Sequence, residues 1–139
     1  MVILISLMAF SCGTSSDTSK AAVESDVVLT KSADDYTLAF ANRSSAISDS
    51  FELRDISVKD SNVEITVAYS GGCMKHNFEI IWDENIAYGN PPAINLIVIH
   101  HANGDTCEAN ITENLTFNIS DLLGDLSTAD FSVGVSSGY

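Results

Sequence analysis

Apolar residues recur mostly at every second position along this chain. They come in short runs broken by Gly, Asn, Asp and Ser, the pattern of half-buried β-strands. Val63, Ile65, Val67 and Tyr69 alternate with Glu64, Thr66, Ala68 and Ser70, so one face of that strand is expected inside and the other wet. His76, Phe78, Ile80 and Trp82 share the inward face of the next strand, and Leu115, Phe117 and Ile119 that of a later one. Shorter candidates are Val27 to Leu29, the alternating Tyr36, Leu38 and Phe40, and a last strand with Phe131, Val133 and Val135. From Phe51 to Val58 the apolar parity changes between Phe51, Leu53 and Ile56, Val58, which predicts a kinked strand. Ile94 to Ile99 is nearly continuously apolar, as expected of a strand buried on both faces. Asp60-Ser61-Asn62 and Gly71-Gly72 punctuate as turns, and Asn90-Pro91-Pro92 ends a strand because adjacent prolines cannot donate to a ladder. Asp121 to Leu126 reads as a helical turn. About eight short strands between turn signals predict an all-β fold: a single small β-sandwich over residues 25–139, with a small β-barrel as the alternative.

The first residues follow a different pattern. Met1 to Phe10 is an apolar run that ends in Ser11, Cys12 and Gly13, and a polar stretch from Thr14 to Lys20 follows at once. The run falls short of the about 20 residues that a bilayer span needs and has the length of a signal-peptide core. Its order resembles a bacterial lipoprotein signal peptide. That resemblance implies cleavage of residues 1–11, a lipid such as palmitate on Cys12, and a flexible tether over 12–24 that reaches at most about 40 Å. It places the protein in the cell envelope, at the outer membrane or the periplasmic face, with the lipid as its attachment to the membrane. No Lys or Arg precedes Cys12, and Ala9 stands where such signals usually carry Leu. Ala9 and Ser11 also suit ordinary signal peptidase, so plain secretion is the alternative.

Net charge is −13, with acidic residues scattered along the chain, which indicates a solvated surface that repels nucleic acid and anionic headgroups. With Cys12 assigned to the lipid, Cys73 and Cys107 remain, and an exported compartment favours a disulfide between them. That link would close a loop of about 34 residues, worth roughly 3–4 kcal/mol in chain entropy.

One constellation has the residues for chemistry. All three histidines and both remaining cysteines fall in Gly71-Gly-Cys-Met-Lys-His-Asn-Phe78 and Ile99-His-His-Ala-Asn-Gly-Asp-Thr-Cys-Glu-Ala109. Cys73, His76, His100 and Cys107 offer thiols and imidazoles of the kind zinc or copper takes. The other reading is a disulfide with histidines packed beside it: neutral imidazoles that satisfy buried backbone groups near the Gly71-Gly72 and Asn103-Gly104 turns. His100 and His101 have opposite parity on a strand, so one at most joins His76.

The same segments resemble a group of small, functionally uncharacterised lipoproteins of Gram-negative bacteria. The pattern is Gly71-Gly-Cys-x-x-His-x-Phe78, then Pro91-Pro92, an apolar strand, His100 and Asp105-x-Cys-Glu-Ala109, and it covers about residues 60 to 120. The resemblance implies export, a compact β domain and a Cys73–Cys107 link, and it carries no activity. His101 stands where that pattern has a polar residue, which favours His100 as the partner of His76.

Other signatures lack their context. Gly134-Val-Ser-Ser-Gly138 matches a nucleophile elbow by letters, but no helix, acid or histidine follows it. There is no Walker loop, dinucleotide fingerprint, EF-hand loop or His-Glu-x-x-His helix. Asn42, Asn110, Asn114 and Asn118 begin glycosylation sequons, but in a bacterial lipoprotein they are polar strand residues. The sequence therefore points to a membrane-tethered, non-enzymatic binding or scaffolding module without a cofactor, its protein or small-molecule ligand unspecified. The alternative is a metal-binding envelope protein using Cys73, His76, His100 and Cys107.

Overall fold

The computed structural model describes residues 24–43, 47–124 and 131–139. The expected signal peptide, Cys12 and all of the tether but Glu24 lie outside the described residues. The alternating segments form strands largely where their period places them: β1 (Asp26–Lys31), β2 (Glu52–Lys59), β3 (Asn62–Gly71), β4 (Asn77–Ala87), β5 (Ala93–His101), β6 (Ala109–Asn118) and β7 (Ser132–Ser137). They pair as a four-stranded sheet in the order β1-β4-β5-β7 and a three-stranded sheet in the order β2-β3-β6. Neither sheet closes on itself, so the molecule is a β-sandwich and not a barrel.

The core lies between the two inner faces. Val63, Ile65, Val67 and Tyr69 of β3 meet Phe78, Ile80 and Trp82 of β4 and Ile94, Leu96 and Val98 of β5, joined by Leu115 and Phe117 of β6. The parity change expected in β2 is real, because its register against β3 shifts between Leu53 and Asp55. Asp60 and Ser61 both take positive φ, 50° and 67°, as a two-residue hairpin turn between twisted strands requires. The turn expected over 121–126 forms as a short helix, α2 (Ser120–Leu123), which buries Leu122 and Leu123; residues 125 and 126 lie outside the described residues.

One expected strand is a helix. Tyr36, Leu38 and Phe40 lie in α1 (Ala33–Ala41), which leaves seven strands among the described residues. Ser32 caps the helix by accepting the Asp35 amide at 3.1 Å, and Asp34 and Asp35 complement the positive end of the helix dipole. Tyr36 and Phe40, one turn apart, stack with centroids 6.2 Å apart, while Leu38 is 60 % exposed, so the alternation there never was a burial pattern. Ala39 packs with Ile81 of β4 and with Ile97 and Ile99 of β5 on the outer face of the larger sheet. That cover explains why β5 is apolar at almost every position: one face meets the other sheet and the other meets α1.

Candidate functional site

At one end of the sandwich the two key segments meet. His76 immediately precedes β4, and His100 lies near the end of β5 opposite Phe78. Both are 1 % exposed. His76 Nδ1 and His100 Nε2 are 2.8 Å apart, His76 Nε2 is 3.1 Å from Asp105 Oδ2, and His100 Nδ1 is 3.2 Å from the Ser50 carbonyl. Ser48 Oγ accepts the His100 backbone N–H at 3.0 Å. Aromatic rings enclose the pair: Tyr69 lies 4.6 Å from His76, and Phe78 stacks on His100 at 4.6 Å. His101 points to the opposite face of the sheet, beside Ile81 and Ile99 under α1. The structure thus brings His76 and His100 together and leaves His101 out, as strand parity required.

Asp105 is the hub. Its Oδ2 accepts the backbone N–H groups of Gly72, Cys73 and Met74 at 2.9, 3.0 and 2.9 Å, and its Oδ1 accepts that of Cys107 at 2.9 Å. These bonds hold its carboxyl well below the usual carboxylate range, the Cys107 and Met74 amides first, against the opposing effect of desolvation. Cys73 and Cys107 form a disulfide, so the carboxylate and the covalent link clamp the same two segments. Gly71 allows the close approach. A Cβ there would lie 2.6 Å from His76 Nε2 and 2.7 Å from its Cε1. Gly72 has a φ of +114°, which lets successive amides turn toward one oxygen.

Hydrogen bonding constrains the tautomers of this network. A carbonyl and an ionised carboxylate only accept, so each outer bond needs a ring N–H, and the bond between the rings needs one more. Burial, followed by the charge of His76, lowers the pKa of His100. Burial thus favours the uncharged form of the His100 ring, while Asp105 faces His76 Nε2. The histidines were expected to serve backbone groups near the Gly71-Gly72 and Asn103-Gly104 turns, and the structure gives them other partners. The partners are a carboxylate, the other ring and the Ser50 carbonyl, because Gly71 and Gly72 bring Asp105 against His76.

A second buried network adjoins the first. Tyr69 donates its hydroxyl to Glu113 Oε2 at 2.6 Å, and Ser25 donates its N–H and its hydroxyl to the two oxygens of Glu113, each at 2.8 Å. Burial, and then the Glu113 bond, pushes the Tyr69 hydroxyl up to about 12. The residue just before β1 is thereby tied across to β6 of the other sheet. Sequence reasoning missed Ser25, Glu113 and the hub role of Asp105. Asp105 had a signal: an Asp two residues before Cys107 reads as an Asx turn, and the Cys107 amide makes that bond.

Of the four residues considered as a metal set, Cys73 and Cys107 cluster with Asp105, and neither His76 nor His100 joins them among the described residues. The two sulfurs bond each other, and the imidazoles spend their nitrogens on each other, on Asp105 and on Ser50. Among the described residues no buried side-chain polar atom lacks a partner. The recess over the network holds about 220 Å³, lined by Asp49, Ser50, Ser70, Thr106 and Cys107 among others. That is below the range of about 300–1,000 Å³ usual for small-molecule sites. The arrangement fastens two sheets and a loop together.

No family model matches the chain, and no curated protein matches it. Three solved structures align with this chain, and the first shares its fold. A NigD-like immunity protein from Bacteroides caccae superposes with a TM-score of 0.55 at 20 % identity, over 80 % of this chain and 52 % of that one. A protein of unknown function from Bacteroides vulgatus gives 0.46 at 12 % identity, over 79 % and 49 %. A candidate lipoprotein from Bacteroides fragilis gives 0.44 at 9 % identity, over 80 % and 60 %. The chain thus spans about half the length of the first two structures. At these identities the likeness concerns the fold.

Proposed function

We propose that this protein is a non-enzymatic binding module of the bacterial cell envelope, held to a membrane by a lipid on Cys12. The observation that carries the reading is the internal use of every group that would do chemistry. His76, His100, Asp105 and the two cysteines bond one another, so the end of the sandwich that looked reactive is a fastening. A Cys73–Cys107 disulfide suits an oxidising compartment and fits export. The apolar run ending at Ser11-Cys12 supplies the anchor, and the acidic surface keeps the domain off anionic headgroups. The Bacteroides caccae protein of this fold is named an immunity protein, which is in keeping with a role in binding and not in turnover.

Membrane fractionation of full-length parent and Cys12→Ser tests the anchor. The parent should stay with membranes through a salt wash, and Cys12→Ser should move to the soluble fraction, because the lipid is the attachment left after cleavage. A Cys12→Ser variant that still pellets refutes the lipid anchor. Parent protein found in the medium favours plain secretion.

A further inference from the structure

We infer that the free edge of β7 is a strand-addition site for an extended, cationic segment of a partner protein. The sandwich has four edge strands, β1 and β7 on one sheet, β2 and β6 on the other. Edges invite pairing with foreign strands, and charges, bulges or cover usually blunt them. β1 carries Asp26 and Lys31, with Lys75 bonded to Asp26 at 2.6 Å. β2 carries Glu52, Arg54, Asp55 and Lys59 and has its register shift at Arg54. β6 is tied by Glu113 to Ser25. β7 reads Ser-Val-Gly-Val-Ser-Ser, with no charge, no proline and no register shift.

Its hydrogen-bond parity can be derived. β7 runs parallel to β5, and the amides of Ser132 and Gly138 donate to the Pro92 and Val98 carbonyls. In a parallel pair, alternate residues turn both their N–H and C=O toward the neighbour. The even-numbered residues from Ser132 to Gly138 therefore face β5, and the N–H and C=O groups of Val133, Val135 and Ser137 point away from it. Among the described residues no bond is made to those outward groups. An incoming strand would take them as a ladder, the mode in which backbone bonds supply affinity.

Charge selects the occupant. No Lys or Arg occurs after Lys75, so β5 and β7 carry no cation, and β2, which packs beside β7, balances Arg54 and Lys59 with Glu52 and Asp55. With a net charge of −13, the whole molecule attracts a basic chain and repels an acidic one or a second copy of itself. This inference names the contact surface of the binding module proposed above, and its test is independent of the membrane fractionation.

The test uses two eight-residue probes, an alternating Lys–Val peptide and its Glu–Val counterpart. Binding is read by fluorescence anisotropy, and the backbone amides are followed by hydrogen exchange. The Lys–Val peptide should bind at least about tenfold tighter than the Glu–Val peptide and should slow exchange at Val133, Val135 and Ser137. Val135→Pro removes one outward N–H while leaving the inward ladder its donors, and Ser137→Pro does the same one pair further along. Each should weaken binding at least about tenfold, so if one fails to fold the other decides. The inference is overturned if neither peptide binds, if binding survives both proline variants, or if the three amides are already protected in dilute free protein. Protection that rises with protein concentration alone also overturns it, because a second copy then covers the edge.

Discussion

Replacing His100 separates hydrogen bonding from hydrophobic burial at the centre of the site. In His100→Leu the buried Nδ1 of His76 loses its hydrogen-bond partner, which costs about 1–3 kcal/mol. Loss of the stacking on Phe78 adds about 0.5–1.5 kcal/mol. The Ser50 carbonyl adds little, because Ser50 is exposed and water can replace the ring. The expected loss is thus roughly 2–4 kcal/mol, a large share of the about 5–15 kcal/mol usual for a domain. In His100→Gln the side-chain amide can pair with Nδ1 as donor or acceptor, and the loss should be smaller by about 1 kcal/mol. Leu normally outranks Gln at a site this buried, so the reversed order reports the hydrogen bond itself. Urea unfolding at pH 7 with the disulfide intact measures both. The parent should also lose stability on acidification. Burial holds the His100 pKa below its unfolded value of about 6.5, so the unfolded chain takes up the proton first and stability falls from about pH 6.5 downward, until the folded pKa is passed. In His100→Leu that part of the pH dependence should disappear. A Leu variant at least as stable as the Gln variant, or one with the parent's full acid slope, refutes the reasoning.

Gly71→Ala places a Cβ 2.6 Å from His76 Nε2 and should cost about 1–3 kcal/mol or more by thermal or urea unfolding. Combined with His76→Ala, which opens that space, its additional cost should shrink; strict additivity in the double-mutant cycle speaks against the contact. Non-reducing intact mass of the domain lacking residues 1–12 should be two hydrogens short, and zinc or copper should leave its melting temperature unchanged. Two free thiols with stoichiometric metal would instead support the metal-binding alternative.

Legibility varied with how local each cause was. Period-two burial in β3, β4 and β6 and the double burial of β5 follow from side chains a few residues apart, so they stand in the sequence. The helix α1 was hidden by the chance alternation of Tyr36, Leu38 and Phe40. Its better signal was Ser32 capping the Asp35 amide ahead of two acidic residues. The pairing of β1 with β4 is parallel, and nothing local encodes a partner that distant. The site divides the same way. Strand parity brought His76 to one of two adjacent histidines, and compartment logic paired the cysteines. The His76–Asp105 contact depends on a loop 29 residues away, and the Ser25–Glu113 bond spans 88 residues.

The directions of the strands give the domain a top and a bottom. β1 runs parallel to β4 and β7 parallel to β5, while β4 and β5 are antiparallel. The start of β1 and the end of β7 therefore lie at the same end as His76, His100 and the disulfide. At the opposite end are the Asp60-Ser61 turn and the Tyr88–Pro92 loop, with Tyr88 fully exposed and Ser61 bonded to the amide of Ile119. A leash entering ahead of Ser25 would hold the covalently fastened end toward the bilayer and turn the hairpin turn and Tyr88 outward. The edge of β7 would then stand upright, running from base to tip along the flank of the domain, so a strand docking there would approach from the side. The fastening would sit where any pull on the leash first arrives, with Ser25, bonded to Glu113 of the other sheet, as the first residue to transmit the load into both sheets.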